Sequence, residues 1–96
     1  NSIVISINKF GSLHLNINHN LWDKFNVKIG NELNLKLKNK TIKIPFHRTF
    51  GDVNKGNPLI FKDDYGRMEI ALNMGNFCGK YKVKIGDKIK IIRKGK

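Results

Sequence analysis

The sequence has little cysteine and no long apolar run, which excludes an internally disulfide-bonded chain and a chain with membrane-spanning helices. It contains one cysteine, Cys78, among 96 residues, so an internal disulfide is excluded and a reducing compartment, the cytoplasm, is the expected location. No apolar run approaches the ~20 residues that a membrane-spanning helix needs, so no membrane contact is expected. A chain of this length is expected to form one domain, and its start at Asn1 predicts that it is a piece of a longer chain.

Acidic residues are also scarce, numbering 7 against 19 lysines and arginines, which gives a formal net charge of +12. Such a charge invites nucleic-acid binding, but lysines alternate with apolar residues in LNLKLKNKTIKI and KVKIGDKIKIIRK, as on solvated faces of half-buried strands. Only three of the basic residues are arginines, the side chain that most often reads bases. A stand-alone basic barrel that binds nucleic acid or another anionic partner is therefore kept only as the alternative function.

Alternation of apolar and polar residues dominates the chain and predicts strands. These form three hairpins and a last strand, over residues 2–8, 12–18, 31–39, 40–46, 56–64, 66–72 and 87–94. Short helices are predicted only within residues 18–27, with Asn18 or Asn20 as the N-cap, and within residues 75–83.

Each predicted helix belongs to one copy of an internal repeat. The segments NLWDKFNVKIGNELNL and NFCGKYKVKIGDKIKI align from Asn20 and Asn76 onwards, and each predicts a short helix, a VKIG turn and a strand. The turn glycine supplies the positive φ, and the Asn or Asp that follows it can close the turn with its side chain. Seven short strands with such a repeat predict an all-β fold, a small closed antiparallel β-barrel with two short helices, because closure removes exposed strand edges.

Metal binding and nucleophilic catalysis find little support in the sequence. The histidines His14, His19 and His47 lack the partner spacing of a zinc site, and one cysteine cannot complete it. Cys78 follows Phe77 on a predicted helix, which is typical of a small buried residue and not of a nucleophile. We therefore expect neither a metal site nor a catalytic residue in this chain.

Two Phe-Gly loops are the candidate binding features. Phe10 and Phe50 each precede a glycine in a connection, where an aromatic ring can face outwards and stack on a planar ligand. The alternative, that Phe10 closes one end of the barrel, stays open. Polar residues flank the predicted strand 66–72 at both ends, namely Asp63, Asp64, Asn73 and Asn76. Each of these alone is explained as a turn or cap residue, but together with the two loops they suggest one ligand surface.

Four successive motifs carry a family resemblance: INKFGSLHLNI, IPFHRTFGDVNKGNPL, DDYGRMEIALNMGN and KVKIGDKIKI. Between Val4 and about Ile92 the chain resembles the C-terminal β-barrel domain of the S-adenosylmethionine hydroxide adenosyltransferases, which share a superfamily with the fluorinases and chlorinases. The resemblance implies that residues 1–96 are a single C-terminal domain of an enzyme that hydrolyses S-adenosylmethionine to adenosine and L-methionine. The N-terminal α/β catalytic domain of that family is missing from this chain, so the chain alone is expected to be inactive, and the choice between water and halide as nucleophile stays open.

The resemblance also implies the partners and the substrate-binding residues. S-adenosylmethionine is the substrate and no cofactor is implied; it binds between one subunit's N-terminal domain and a neighbour's barrel in a homotrimer. By resemblance, Phe10 and Phe50 flank the adenosine, and the backbone around Leu72, Asn73 and Met74 meets the adenine edge.

Four further substrate-binding positions are implied, namely Asn8, Ser12, Asp64 and Tyr65. Three of them depart from the family pattern, which usually has Asp in place of Asn8, Asn in place of Ser12 and Ser in place of Asp64. By resemblance, the position of Asn8 pairs with the methionine ammonium and that of Asp64 lies near the methionine carboxylate.

Overall fold

Seven antiparallel strands and two short helices form a nearly closed barrel in the computed structural model, which confirms the predicted all-β fold. The structure describes residues 2–38 and 40–93, except for the side chain of Phe50. The strands are β1 (Ser2–Ile7), β2 (Leu13–Asn18), β3 (Glu32–Lys36), β4 (Thr41–Pro45), β5 (Pro58–Lys62), β6 (Arg67–Leu72) and β7 (Lys88–Arg93). The helices are α1 (His19–Asp23) and α2 (Phe77–Tyr81), and a 3-10 helix spans Phe50–Asp52. The predicted strand ends at Asn39 and Lys94 lie outside the described residues.

The strands are neighbours in the order β4, β3, β7, β1, β2, β6, β5, and all three predicted hairpins are present. The outer strands β4 and β5 approach each other through a parallel bridge between Phe46 and Ile60. The backbone N–H of His47 donates to the carbonyl of Ile60 at 3.1 Å. The barrel also joins the two strands that are most distant in sequence, because Ser2 of β1 lies opposite Ile89 of β7 and the Ser2 hydroxyl donates to the Ile89 carbonyl at 3.0 Å.

The inward-facing side chains of the strands fill the barrel, as period-two alternation requires. Trp22 of α1 is buried among them, with ring centroids 5.2 Å from Phe46 and 5.7 Å from Phe25 in edge-on geometry. Each fully buried aliphatic side chain of the strands stabilises the fold by about 1.5–3 kcal/mol relative to an exposed one. The strand residues with no exposed surface are Leu13, Leu15, Leu35, Ile44, Leu59, Ile60, Met68, Ile70 and Ala71.

The internal repeat appears as a local two-fold arrangement of β3 and β7. These strands pair antiparallel, and Leu35 lies opposite Ile91, its own equivalent in the second copy. The flanking pairs, Asn34 with Ile92 and Lys36 with Lys90, are exchanged by the same rotation. The two copies are therefore related across the paired strands β3 and β7.

The repeated turns form as predicted. Gly30 and Gly86 have φ of 91° and 92°, values that favour glycine. In the first copy the Asn31 side chain accepts from the backbone N–H of Lys28 at 2.8 Å, and in the second Asp87 accepts from that of Lys84 at 2.9 Å.

The helices lie at opposite ends of one strand pair. Helix α1 follows β2 and helix α2 follows β6, and these two strands run antiparallel. Helix α1 is capped by Asn18, whose side chain accepts from the backbone N–H of Leu21 at 2.7 Å. Within the described residues, no helix has the length and apolar character needed to cross a membrane. The α2 end of the strand pair carries the candidate site.

Candidate functional site

A surface cavity of about 430 Å³ lies where the β1–β2 loop meets the turn after β6. Its lining residues are Asn8, Phe10, Ser12, Glu69, Leu72, Asn73, Met74 and Gly75. Six of these are residues that the family resemblance implies as substrate-binding, and Glu69 and Gly75 are additional. The fold thus brings together residues from two parts of the chain that are about sixty positions apart in the sequence.

Asn8 shapes the β1–β2 loop. Its side-chain oxygen accepts from the backbone N–H groups of Phe10 at 3.0 Å and Ser12 at 3.1 Å, and its carbonyl accepts from Gly11 at 3.0 Å. With the loop held in this way, the side chain of Phe10 is 67% exposed. Phe10 thus faces outwards, which is one of the two alternatives that the sequence left open, and the Lys9 ammonium lies 5.3 Å from the centre of its ring.

The β1–β2 loop docks on the start of α2. The carbonyl of Gly11 accepts from the backbone N–H of Cys78 at 2.9 Å. Gly11 has a φ of 82°, and a Cβ at this position would overlap the side-chain oxygen of Asn76. That oxygen accepts from the backbone N–H of Gly79 at 2.7 Å, so Asn76 is the N-cap of α2. Only glycine fits this approach of the loop to the capping side chain.

The opposite wall is the turn after β6, which is anchored by Asn73. Its backbone N–H donates to the carbonyl of Asn57 at 3.0 Å, its carbonyl accepts from Gly56 at 2.7 Å, and its side-chain amide donates to the carbonyl of Val53 at 2.9 Å. Met74, the next residue, is 77% exposed and has a φ of 60°, a left-handed conformation that is uncommon outside glycine. Backbone strain of this kind is frequent at ligand-binding loops.

The connection between β4 and β5, to which Asn73 is hydrogen-bonded, also carries Phe50. The backbone of Phe50 begins the 3-10 helix, where the Asp52 side chain accepts from the backbone N–H groups of Arg48 and Thr49, both at 3.3 Å. The side chain of Phe50 lies outside the described part of the structure, so its stacking on a ligand stays a prediction.

Glu69 contributes the only acidic side chain among the residues that line the cavity. It is 8% exposed although it lies on the outer face of β6, directly opposite His14 of β2. The Asn8 amide lies 3.5 Å from one carboxylate oxygen of Glu69, and the His14 Nε2 lies 3.7 Å from the other. Burial raises the pKa of Glu69, and the nearby charge of Asp63 adds to the increase, while His14 and hydrogen bonds from Ser12 and Asn8 oppose it.

Behind Glu69, His14 is held by a buried aspartate. The Nδ1 of His14 lies 2.8 Å from one carboxylate oxygen of Asp63. The other oxygen accepts from the backbone N–H groups of Tyr65 at 2.8 Å and Arg67 at 2.9 Å. Burial alone would raise the pKa of Asp63, but these two backbone hydrogen bonds and the contact with His14 outweigh it and lower the pKa. Asp63 is thus a turn residue that also orients the imidazole beside Glu69.

The same three side chains form a group that the spacing of the histidines did not predict. His14, Asp63 and Glu69 each offer one possible metal-ligand atom, and these atoms lie within 4.8 Å of one another. The described contacts of Asp63 already use both of its oxygens, one for His14 and one for two backbone donors. The arrangement is therefore explained as a hydrogen-bonded pair of Asp63 and His14, with His14 in electrostatic contact with Glu69 at the cavity.

Two of the implied binding residues lie elsewhere. Asp64 and Tyr65 form the β5–β6 turn, at the end of β6 that packs beside α1, where the N–H of His19 donates to the carbonyl of Gly66 at 3.1 Å. Neither residue lines the cavity, and Leu72, at the far end of β6, lies about 17 Å from this turn at the usual rise of a strand. Tyr65 is 88% exposed. A methionine-binding role of these two residues stays a prediction.

Cys78 is buried, as predicted. Burial raises the pKa of its thiol to about 11, and the charge of Asp87 contributes to the increase. A thiol with so high a pKa is protonated at neutral pH and is a poor nucleophile.

Comparisons with known proteins agree with this architecture. The sequence profile of the family described as "SAM hydroxide adenosyltransferase C-terminal domain" matches residues 2–90. A crystal structure of an uncharacterized conserved protein from Thermotoga maritima is 33% identical, with a TM-score of 0.92, over 96% of this chain and 35% of that chain. A conserved hypothetical protein from Thermus thermophilus shares the fold, with a TM-score of 0.71 and 21% identity over 95% of this chain and 34% of that chain. The chain thus spans about a third of the length of both structures.

Proposed function

Because the chain belongs to the family of SAM hydroxide adenosyltransferase C-terminal domains, we propose that its cavity holds the adenosine half of S-adenosylmethionine. The full-length protein would then hydrolyse S-adenosylmethionine to adenosine and L-methionine, with the chemistry supplied by an N-terminal domain. The observation that carries the proposal is the lining of the cavity, which combines an exposed aromatic ring, a strained backbone turn and a buried carboxylate.

Phe10 supplies the main binding energy in this proposal. Its ring is exposed at the cavity, and a purine that stacks on a protein aromatic side chain gains about 1–3 kcal/mol. The backbone of the turn at Leu72, Asn73 and Met74 forms the facing wall, and its N–H and C=O groups are the type of partner that fixes the edge of a base. The cavity is partly open to solvent, which fits a half-site that a second domain or subunit completes, as in the family's trimer.

The proposal assigns no catalytic role to the described residues that line the cavity. His14 is the one imidazole nearby, and it lies between the carboxylates of Asp63 and Glu69 and is not among the cavity-lining residues. The barrel therefore binds and orients the substrate in this proposal.

Isothermal titration of adenosine into the full-length protein tests the proposal. Phe10→Ala should raise the dissociation constant about ten- to a hundred-fold, on the stacking estimate above. The matched control is Ile85→Ala, which removes exposed apolar surface outside the cavity and should leave the affinity unchanged. Equal affinities of wild type and Phe10→Ala would refute the proposed site, and no binding of adenosine by the wild type would refute the proposed function.

The alternative function, binding of nucleic acid or another anion, is not favoured at this cavity. The described residues that line it include the carboxylate of Glu69, which repels phosphate, and no lysine or arginine, although the Lys9 ammonium lies beside the Phe10 ring. Affinity for single-stranded nucleic acid that falls steeply as salt rises would support the alternative.

A further inference from the structure

We infer that Glu69 is a specificity-determining residue, whose carboxylate accepts a hydrogen bond from an uncharged donor on the nucleoside half of the ligand. The inference rests on the proposed function and extends it to a residue that neither the family resemblance nor the motif analysis singled out. The donor is either the exocyclic amine of the base or a hydroxyl of the ribose.

The first support is that Glu69 has acceptor capacity to spare. An ionised carboxylate offers about four lone-pair positions. The described neighbours approach loosely, since the Asn8 amide lies at 3.5 Å, the limit of a hydrogen bond, and the His14 Nε2 lies at 3.7 Å, beyond it. Ser12 also hydrogen-bonds to Glu69 through its side chain. A carboxylate that is 8% exposed normally has its acceptors filled, so the unfilled capacity at a cavity wall indicates a missing donor.

The second support is that the position of Glu69 is fixed from behind. Asp63 is held by two backbone hydrogen bonds and holds His14, which in turn faces Glu69 across the β2–β6 pair. The Asn8 amide approaches Glu69 on another side, while the Asn8 oxygen is occupied by the loop backbone. A preorganised acceptor loses little entropy when a ligand donor arrives, so it can discriminate between ligands.

The third support is that Glu69 shares its cavity with Phe10. A planar base stacked on the ring would present its donors sideways, towards the cavity wall, and not across the ring face. Glu69 is the acidic member of that wall. A site built to bond a ligand N–H or O–H rejects analogues that lack the donor, because the buried acceptor is then left without a partner.

The experiment compares ligands and variants in the full-length protein by isothermal titration. Glu69→Gln keeps the shape of the side chain and removes the charge. It should lower the affinities for adenosine and S-adenosylmethionine by the same factor, about ten- to a hundred-fold, as expected for the loss of a charge-assisted hydrogen bond. Asp23→Asn is the matched control, because it also replaces one carboxylate by an amide, but on an exposed ion pair with Lys62 outside the cavity.

Ligand analogues identify the donor. If the base amine is the donor, N6,N6-dimethyladenosine should bind the wild type weakly, and its affinity should fall no further in Glu69→Gln. If a hydroxyl is the donor, 2′- or 3′-deoxyadenosine should instead bind the wild type weakly and lose no further affinity in Glu69→Gln. The inference is overturned if wild type binds adenosine and Glu69→Gln binds it as well as Asp23→Asn does. It is also overturned if the variant loses S-adenosylmethionine but keeps adenosine, because Glu69 would then hold the amino-acid half. Failure of the wild type to bind adenosine would instead defeat the proposed function. Thermal unfolding of each variant separates loss of binding from loss of fold.

Discussion

Replacing Gly11 by alanine should destabilise the barrel more than the same change at a turn glycine where an added Cβ would meet no other atom. Gly11 has a φ of 82°, and the left-handed conformation costs an L-residue about 1–2 kcal/mol. The added Cβ would also overlap the Asn76 side chain and come within 3.1 Å of its Cα. Asn76 would have to leave its capping position, and the loop would move away from α2.

The excess cost follows from the two interactions that this movement breaks. Loss of an N-cap destabilises a helix by about 0.5–2 kcal/mol. Loss of the hydrogen bond from the Cys78 N–H to the Gly11 carbonyl adds about 0.5–1.5 kcal/mol. The sum is about 1–3.5 kcal/mol beyond the conformational cost, or roughly 4–28 °C in the melting temperature of a domain of this size.

Gly30→Ala is the matched control, because Gly30 has a φ of 91° and no atom within 4 Å of the added Cβ. Urea unfolding of both variants gives the two free energies directly. A second test combines Gly11→Ala with Asn76→Ala, since most of the steric part of the cost should disappear once the Asn76 side chain is short, and only the 3.1 Å approach to the Asn76 Cα remains. Equal destabilisation by Gly11→Ala and Gly30→Ala would show that the loop does not dock on the cap as described.

Three further results are expected. The free energy of unfolding that Asp63→Asn loses should be largest at neutral pH and should shrink in acid. The reason is that the folded-state pKa of Asp63 lies below its ordinary value of 3.8, and the stabilisation by its carboxylate is lost as the pH falls through that lowered value. Urea titrations that show the same loss at neutral pH and at pH about 2 would contradict this. Cys78 should react with iodoacetamide at neutral pH only as fast as the fold opens, since its thiol has a pKa of about 11, and rapid labelling of the native protein, followed by mass spectrometry, would argue against its burial. The 96-residue chain alone should release no adenosine from S-adenosylmethionine above a buffer control in a chromatographic assay, because its described residues hold no base positioned for catalysis.

The fold was largely predictable from the sequence, because half-buried strands impose a period of two and the repeated VKIG turns mark two boundaries. The 3-10 helix at Phe50–Asp52 was missed. Such a single turn is specified by short-range hydrogen bonds. Here the side chains of Thr49 and Asp52 accept from nearby backbone N–H groups, and this arrangement leaves no periodic signal in the sequence. The first helix was predicted only as a short helix within residues 18–27 and spans His19–Asp23, since propensity does not fix where a short helix ends.

The candidate site was predictable only in part. The motif match identified the residues of the two loops at the cavity, which are contiguous in sequence. It missed Glu69, because β6 is buried on both faces, so alternation cannot show which side chains are covered by neighbouring strands. The contact of Glu69 with His14 depends on the register of β2 against β6, and that of His14 with Asp63 on the β5–β6 turn. An acidic residue within the otherwise apolar segment Met68–Leu72 was the available signal.

The pairing of β1 with β7 governs how this domain must fold. It joins segments 87 residues apart, while the three hairpins join neighbours. Hairpins can form early at small loop-closure entropy, but the barrel stays open along β1 until the last strand has been synthesised and docked. Topologies dominated by such distant contacts fold in milliseconds to seconds, whereas helical bundles of similar size fold far faster. During that interval the outward edge of β1 can pair with other chains, so a nascent or destabilised copy of this domain is most exposed to aggregation there.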